Sequence, residues 1–553
     1  MGFLKLSIVK SLFGEIEMYG FTIEQASKSL NVSTATIRNW IKTGYLEQLS
    51  KGIITQKSFD EFILNIAGKE KLNARANKSL KNVHHLKKTT DEIKALTQNF
   101  SDENIGIEYE NSLSNSYRNK EGIYYTPSWV IKDMFKNIKF DSHYTFLDPC
   151  CGSGNFIVEA IKAGVLPENV YGFDIDENAV FITKERIKQT FGFETPNIKV
   201  GNFLEEVPKL SKENVFFDLI FTNPPWGKKI DKEDKEKLAS TYHTGNSLDT
   251  TALFMGASMS LLKKNGLLGF LVQQAFFNIT TFEDIRSKMI VKKIVRFVDY
   301  GKAFKSLMTK AQAIIIKNIG ANADDMIECC VENKSFERKL ASFKKNPKFI
   351  FNFWTNENET QVIEKLYATK YTTLKDKATW ALGIITGNNN NFCSNTQKDG
   401  YVPIYKGTDI TKNGLKKTTT FISNDFSNFQ QVAPLKMYQA KEKLIYKFIS
   451  SNLCFFCDTE QNFILNSANL LIPVDIGITN QQLTDLLNSE IMNWLFNKLF
   501  STYKVLRGNL ELLPIHIDYF SYHHQFSETT YLDYLQITKN NNGTFTKNCT
   551  NGL

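Results

Sequence analysis

Phe146-Leu147-Asp148-Pro149-Cys150-Cys151-Gly152-Ser153-Gly154-Asn155-Phe156 reads as a short strand that breaks into a glycine-rich turn and then enters a helix near Ile157. Small residues in such a turn let backbone N–H groups approach a ligand closely. Cys150, Gly152 and Gly154 are therefore candidate cofactor-binding positions. The next expected strand, Val170 to Phe173, ends in Asp174-Ile175-Asp176. An acidic side chain at a strand end, roughly twenty residues beyond a glycine turn, can accept from ribose hydroxyls.

Further along, the apolar run Phe216-Phe217-Asp218-Leu219-Ile220-Phe221 leads into Asn223-Pro224-Pro225-Trp226. Two consecutive prolines cannot continue a strand ladder, so the chain must leave the sheet there. The mouth of a parallel strand is where open α/β sheets bind ligands. The Asn223 amide and the Pro224 carbonyl supply acceptors for an amino group, and Trp226 supplies a face on which a base can stack. Acceptors of this kind draw the lone pair of an exocyclic amine out of conjugation and make it a nucleophile. Around these strand ends, buried runs at 144–148, 170–174, 216–221, 266–272, 294–299 and 311–317 alternate with helical segments. That pattern predicts an α/β domain whose mostly parallel sheet is covered on both faces.

In motif order the chain resembles the amino-group DNA methyltransferases of the TaqI-like (γ) class, which use S-adenosyl-L-methionine and modify adenine N6. The segment Gly122-Ile123-Tyr124-Tyr125-Thr126-Pro127 resembles the family's first motif, and the Asp148 to Phe156 loop, the Asp174 region, Gly201-Asn202-Phe203-Leu204, the Asn223 tetrapeptide and Phe304 follow in the family's sequence. The resemblance implies that Tyr125, Thr126, Asp148, Gly152 and Phe156 surround the methionine end of the cofactor. It assigns Asp174 to the ribose, Ile175, Asn202 and Phe203 to the adenine, and Phe304 to the second face of a flipped target base. The family usually has Asp where this chain has Asn202. The implied fold is a Rossmann-like, seven-stranded class I methyltransferase domain, and the implied chemistry is direct in-line methyl transfer without a covalent enzyme intermediate.

At 553 residues and 42% hydrophobic, the chain is long enough for two or three cores. It contains no apolar run of eighteen residues and no secretory leader pattern, so a bacterial cytoplasmic protein without membrane contact is expected. Eight scattered cysteines form no disulfide framework, and Cys454-Phe455-Phe456-Cys457 lacks a second pair, so no metal is expected. The net charge of +9 is compatible with double-stranded DNA as partner.

Residues 1–65 are expected to hold an all-α helix-turn-helix unit. Helical periodicity runs from Ile23 to Leu30, Asn31-Val32-Ser33 makes the turn with Ser33 as N-cap, and Thr34 to Lys42 forms the second helix. It resembles the MerR or excisionase type, with Ala26, Leu30, Val32 and Ile37 in its core and Thr34, Thr36, Arg38 and Asn39 available to a DNA groove. A packing or dimerisation module is the alternative. Residues 66–100 read as a basic helical linker, 101–345 as the methyltransferase domain, and 526–553 as a loosely attached tail. Between 346 and 525 the composition shifts towards Asn, Thr, Lys and aromatics in short runs such as Tyr401 to Tyr405, Lys443 to Phe448 and Ala468 to Pro473. With the helical stretch Asn488 to Phe500 and the segment Arg507 to Ile515, this region resembles the α+β target-recognition domain of TaqI-like enzymes. Arg507 is its named DNA-contact candidate, and the Asn388 to Asn391 run reads as a flexible loop.

The expected function is site-specific N6-adenine methylation of duplex DNA by base flipping, as the modification enzyme of a type II restriction-modification system or as an orphan methylase. A separate restriction endonuclease is a possible partner, and the chain itself a monomer or dimer. N4-cytosine methylation and a DNA-binding regulator with an inactive methyltransferase fold are the alternatives. Protein-glutamine methylation and the modification subunit of a multisubunit system fit the length and the 370–515 region less well.

Overall fold

A computed structural model describes residues 20–29, 34–42, 45–50, 52–65, 105–109, 125–227, 230–304 and 309–548. The basic stretch 66–100, Leu30, Asn31, Val32 and Ser33, and Gly122 to Tyr124 lie outside them. The chain divides into two compact units, residues 1–238 with 253–266, and residues 239–252 with 267–553.

The N-terminal part of the first unit contains α1 (Ile23–Ser29), α2 (Thr34–Lys42) and α3 (Gln56–Asn65). It also contains strands β1 (Gly20–Thr22), β2 (Gln48–Ser50) and β3 (Ile53–Thr55), ordered β1-β3-β2 in an antiparallel sheet. The all-α expectation is thus corrected: Ile53, Ile54 and Thr55 are β-branched and form the central strand of a sheet. Ile23, Ala26, Ile37, Trp40, Tyr45, Leu46, Ile54, Phe59 and Phe62 close one small core. Ala26 and Ile37 lie in it as expected, and α3, with Phe59 and Phe62, was not anticipated.

The rest of the first unit is built on parallel strands β4 (Phe146–Asp148), β5 (Val170–Asp174), β6 (Ile198–Val200) and β7 (Phe217–Thr222). With the first residues of β8 (Leu262–Gln273) the order is β8-β7-β4-β5-β6. Phe146, Leu147, Phe217, Leu219, Ile220 and Phe221 are buried, as continuous apolar runs in a doubly covered sheet must be. Asp218, the polar interruption of β7, accepts from the Thr145 N–H and hydroxyl and from Lys263, and this lysine holds its carboxyl below the usual range against the opposing effect of burial. Helices α4 (Ser128–Met134), α5 (Asn155–Lys162), α6 (Glu177–Phe191) and α7 (Phe203–Lys212) connect and flank these strands.

In the second unit the end of β8 pairs antiparallel with β10 (Ala311–Gly320), which pairs antiparallel with β9 (Lys292–Asp299). β11 (Met326–Val331) runs parallel to β9 and forms a hairpin with β12 (Lys334–Lys339). Counted from β4 to β12 there are nine strands, two more than the seven expected. The additional pair is a two-residue hairpin whose Glu332 and Asn333 both have positive φ, the turn geometry that matches strand twist.

Beyond residue 346 an antiparallel sheet orders Ala378–Leu382, Ala468–Pro473, Lys443–Lys447 and Phe455–Asp458. A second sheet contains Tyr401–Tyr405. The helix expected from Asn488 begins at Glu490 behind the Ser489 N-cap and ends at Phe500. Asn389–Phe392 forms a single helical turn, in which the Asn388 side chain caps the Asn390 N–H. One expectation fails here. Residues 526–548 are not a loose tail: Tyr531, Leu535, Ile537 and Phe545 join the main core of the unit, and Tyr531 meets the buried His516. With Leu532 these make five apolar side chains within fifteen residues, which dock a helix and a hairpin.

No helix among the described residues is long and apolar enough to cross a membrane. Lys443 and Asp458 form a fully buried ion pair across the sheet, with Lys443 also donating to the Tyr438 carbonyl and Asp458 accepting from Asn462. Asp458→Ala strands the Lys443 ammonium, so chemical denaturation should report a loss of roughly 3–5 kcal/mol. A loss under about 1 kcal/mol would mean that water or a neighbour replaces the carboxylate.

Candidate active site

The ends of β4, β5 and β7 open on one cleft that is continuous with solvent. Among its lining residues are eight of the candidates: Tyr125, Thr126, Asp148, Cys150, Gly152, Phe156, Asp174 and Asn223. Gly106, Tyr109, Cys151, Ser153, Asn155, Asp176 and Ala179 also line it.

The turn after β4 has the conformation its glycines allow. Gly152 and Gly154 have φ of +50° and +85°, and a Cβ on Gly154 would sit 2.7 Å from the Thr183 methyl group. Gly154 therefore acts through the path of the backbone and does not itself line the cleft. The Cys151 N–H reaches the Phe173 carbonyl at 2.9 Å, and the Gly152 N–H reaches Asp174 Oδ2 at 2.9 Å, so the turn is tied to the end of β5. Asp174 Oδ1 accepts from the Asp176 N–H at 2.9 Å.

Asp148 is buried at the end of β4, where its Oδ1 accepts from the Thr222 hydroxyl at 2.6 Å and from the Cys150 N–H at 3.1 Å. Burial pushes its carboxyl up to about 7, with the nearby Asp174 adding to the rise and the two hydrogen bonds opposing it. Burial likewise pushes the Cys150 and Cys151 thiols well above their usual range, so neither is disposed to act as a thiolate.

Asn223 follows β7 directly, and its Nδ2 donates to Thr126 Oγ1 at 3.2 Å. That contact engages the nitrogen end of the amide. Pro224 is buried, Pro225 half-buried, and Trp226 only 9% exposed. These three flank the cleft residue Asn223 in the chain without lining the cleft.

The remaining cofactor candidates are placed differently. Ile175 is 52% exposed, an apolar side chain presented beside Asp174. Asn202 caps α7, accepting from the Leu204 N–H at 3.3 Å and donating to Glu205 at 2.7 Å. Phe203 is 1% exposed and packs against Phe173 and Phe254, which makes it a core residue. Phe304 belongs to the second unit, buried, five residues after β9.

Of the proposed DNA contacts, Arg38 is exposed and Thr34 half-buried on α2, while the side chains of Thr36 and Asn39 lie outside the described set. Arg507 is engaged within its own unit by Glu511 at 2.7 Å and lies 5.7 Å from the Trp380 ring centre.

Tyr109 and Gly106, on the helical residues 105–109, were not singled out in the sequence. Tyr109 donates its hydroxyl to Asp176, and Ile105 and Tyr109 pack on Ala179 and Ile182. A Cβ on Gly106 would lie 2.6 Å from Ser153 Oγ, so this segment sits close against the glycine turn. Nothing local announces that contact, because it depends on a segment some forty residues upstream folding back. Asp176 did carry a signal, as an Asx N-cap preceding a helical run.

Comparison with known proteins agrees with this architecture. The Eco57I restriction-modification methylase family matches residues 168–305, and the TaqI-like C-terminal specificity domain matches residues 402–515. The chain is 44% identical over 407 residues to Type II methyltransferase M.VspI of Vibrio sp. (strain 343), covering 73% of this chain and 99% of that one. It is 24% identical over 218 residues to modification methylase CviBIII of Paramecium bursaria Chlorella virus NC1A, covering 39% and 54% respectively. The solved structure of the Type IIL restriction-modification enzyme MmeI in complex with DNA matches with a TM-score of 0.50 at 13% identity, over 75% of this chain and 70% of that one, a likeness of fold. A cleft at three strand ends, an Asn-Pro-Pro-Trp rim and a relative aligned over nearly its whole length lead to one conclusion: the chain belongs to the type II restriction-modification DNA methyltransferases, enzymes that use S-adenosylmethionine.

Proposed function

We propose that the protein methylates the N6 amino group of adenine at a specific site in duplex DNA, with the base swung out of the stack. The observation that carries this reading is Asn223, set at the end of β7 with its Nδ2 on Thr126 Oγ1. With the nitrogen so engaged, Oδ1 is the end of the amide suited to accept from a substrate amine. The Pro224 carbonyl is the second acceptor and Trp226 one stacking surface for the base.

The residues of the cleft suit S-adenosylmethionine. Three carboxylates, Asp148, Asp174 and Asp176, line it and complement a cation, and the glycine turn leaves the backbone bare. Thr126, Asp148, Gly152 and Phe156 would hold the methionine end and Asp174 the ribose hydroxyls. When bound, the cofactor supplies a methyl group on a sulfonium centre. The protein's own part is alignment, which can lower the barrier by on the order of 7 kcal/mol, and polarisation of the amine by Asn223. No cysteine is required. Sequence readout belongs in this reading to residues 346–525, the catalytic domain to 101–345, and an auxiliary DNA clamp to residues 1–65, with a separate endonuclease acting on the same site.

Mapping modified bases in a host that expresses this gene alone should reveal N6-methyladenine at one short sequence. N4-methylcytosine in its place sinks the adenine assignment. In the purified enzyme, Asn223→Ala should reduce turnover by more than about tenfold, at least about 1.4 kcal/mol, while cofactor affinity stays nearly intact. Turnover above a tenth of the wild type contradicts the role given to Asn223.

Asp148 yields a pH prediction. In the folded chain it keeps its proton to about 7, whereas its ordinary value is 3.8. Between those values the folded state binds more protons than the unfolded one, so the stability of the cofactor-free protein should fall as pH rises from about 4 to about 7. A bound cation favours the charged carboxylate, so calorimetry should find proton release on cofactor binding near pH 7 and weaker binding below it. Asp148→Asn should abolish that pH dependence; wild-type affinity that is flat from about pH 5.5 to 8 would separate Asp148 from the cofactor.

For the N-terminal unit, Arg38→Ala should weaken DNA binding by roughly 1–3 kcal/mol if the guanidinium grips a base edge in two places. A phosphate contact would instead weaken all sequences equally and flatten the salt dependence. Unchanged DNA affinity with an altered oligomeric state would make this unit a self-association module.

A further inference from the structure

Four polar side chains of the first unit form a continuous hydrogen-bonded line that ends on Asn223. Arg186, buried on α6, donates Nη1 to Asn155 Oδ1 at 2.7 Å and to the Ser153 carbonyl. Asn155, the first residue of α5, donates Nδ2 to the Thr126 carbonyl at 3.2 Å. Thr126, buried in turn, accepts on its hydroxyl from Asn223 Nδ2 at 3.2 Å.

The donor and acceptor inventory fixes the sense of this line from Arg186 as far as the Thr126 carbonyl. A guanidinium only donates, so Asn155 must face Arg186 with Oδ1; its Nδ2 then meets a backbone carbonyl, which only accepts. Turning the Asn155 amide over would set N–H against N–H and oxygen against oxygen. Asn155 is therefore held in one orientation from both sides, and it holds the Thr126 peptide.

Orientation matters at the far end because the two ends of an asparagine amide are nearly equal in size and opposite in chemistry. An Asn223 turned over would present an N–H donor to the substrate amine, itself a donor. We propose that Arg186 and Asn155 are positioning residues for methyl transfer: by holding the Thr126 peptide they place the hydroxyl on which Asn223 Nδ2 rests, and with it the Asn223 amide, for the target amine. This rests on the acceptor role proposed for Asn223 and extends it to two residues on other helices. Neither touches the reacting atoms. Arg186, a donor only, sets the orientation of the Asn155 amide.

The test uses full-length enzyme. Asn155→Asp keeps the contact with Arg186 but has no donor for the Thr126 carbonyl. It should lower kcat by about tenfold to a hundredfold and leave the cofactor and DNA dissociation constants within about threefold. In the protein alone, with asparagine side chains labelled with ¹⁵N, hydrogen exchange at the Asn223 Nδ2 should accelerate. Thr126→Val should reproduce both effects, and Thr126→Ser, which keeps the hydroxyl, should restore most of the loss. Because both residues act on the same amide, Asn155→Asp combined with Thr126→Val should be no slower than Thr126→Val by itself. Where Asn155→Asp folds poorly, as a lowered Tm would show, Arg186→Met and the Thr126 pair carry the same comparison.

Multiplying effects in the double variant, unchanged kcat in Asn155→Asp, or a loss confined to cofactor affinity each overturn the proposal. The last outcome would make Asn155 a direct cofactor contact, since it lines the cleft. Failure of the underlying reading looks different: Asn223→Ala would then remain active. An inactive Asn223→Ala beside a fully active Asn155→Asp removes only the positioning line.

Discussion

Asp148 sits where two parallel strands end, and its Oδ1 ties together the Thr222 hydroxyl at the end of β7 and the Cys150 N–H of the glycine turn after β4. The contact binds the two loops that carry the chemistry to each other, one leading into Asn223 and the other into the glycine turn. β4 is only three residues long and fully buried, so its end is defined by packing on β5 and β7 and by this carboxylate. A carboxyl in such a place would ordinarily be neutralised by an Arg or Lys. Here the opposing groups are hydroxyl and backbone dipoles, which leave a site biased towards a cation.

The same economy governs the second strand end. Asp174 uses one oxygen on the glycine turn and the other on the start of α6, so this cleft carboxylate also braces the loop. Asp176 caps α6 through Asn178 and meets the Tyr109 hydroxyl, extending the brace to residues 105–109. The carboxylates that line the cleft are thus the ones that brace its loops. Substitutions here will alter loop order as well as affinity, and the two need separate measurements.

Buried charge in the second unit has a different function. Arg286 donates to the carbonyls of Phe276, Ile279, Lys348 and Phe349, and Arg338 to Asn352, Thr355 and Ser342. Both guanidinium pKa values are lowered by burial, to about 9 and about 10, and both groups stay charged at neutral pH. They replace missing backbone partners where the chain between strands is irregular. The Lys443–Asp458 pair does the same for the loop around Asn462. Short runs joined by loops leave many unpaired carbonyls, and a fork of fixed donors satisfies several at once.

Much of the first unit was legible in the sequence because the information there is local. An apolar run broken by Gly152-Ser153-Gly154, an acid at the end of the next run, and a strand stopped by Pro224-Pro225 each specify a backbone event within a few residues. Strands β4, β5, β7, β9 and β10 accordingly lie where the runs place them, to within a few residues. The small sheet of the N-terminal unit, the hairpin β11–β12 and the docking of residues 526–548 were not legible, since each depends on partners distant in the chain or on a turn built from Glu332 and Asn333 rather than glycine. The resemblance assigned Phe203 and Asn202 to the cofactor's adenine, and the fold adds what it could not show: Phe203 packs in the core and Asn202 caps a helix. The sequence by itself determined which strand ends bear chemistry, because glycine, proline and aspartate act on their own backbone. Only the tertiary structure decided what the Asn223 amide rests on, because Thr126 meets it from a distant segment and is itself held by Asn155, which Arg186 orients from a third.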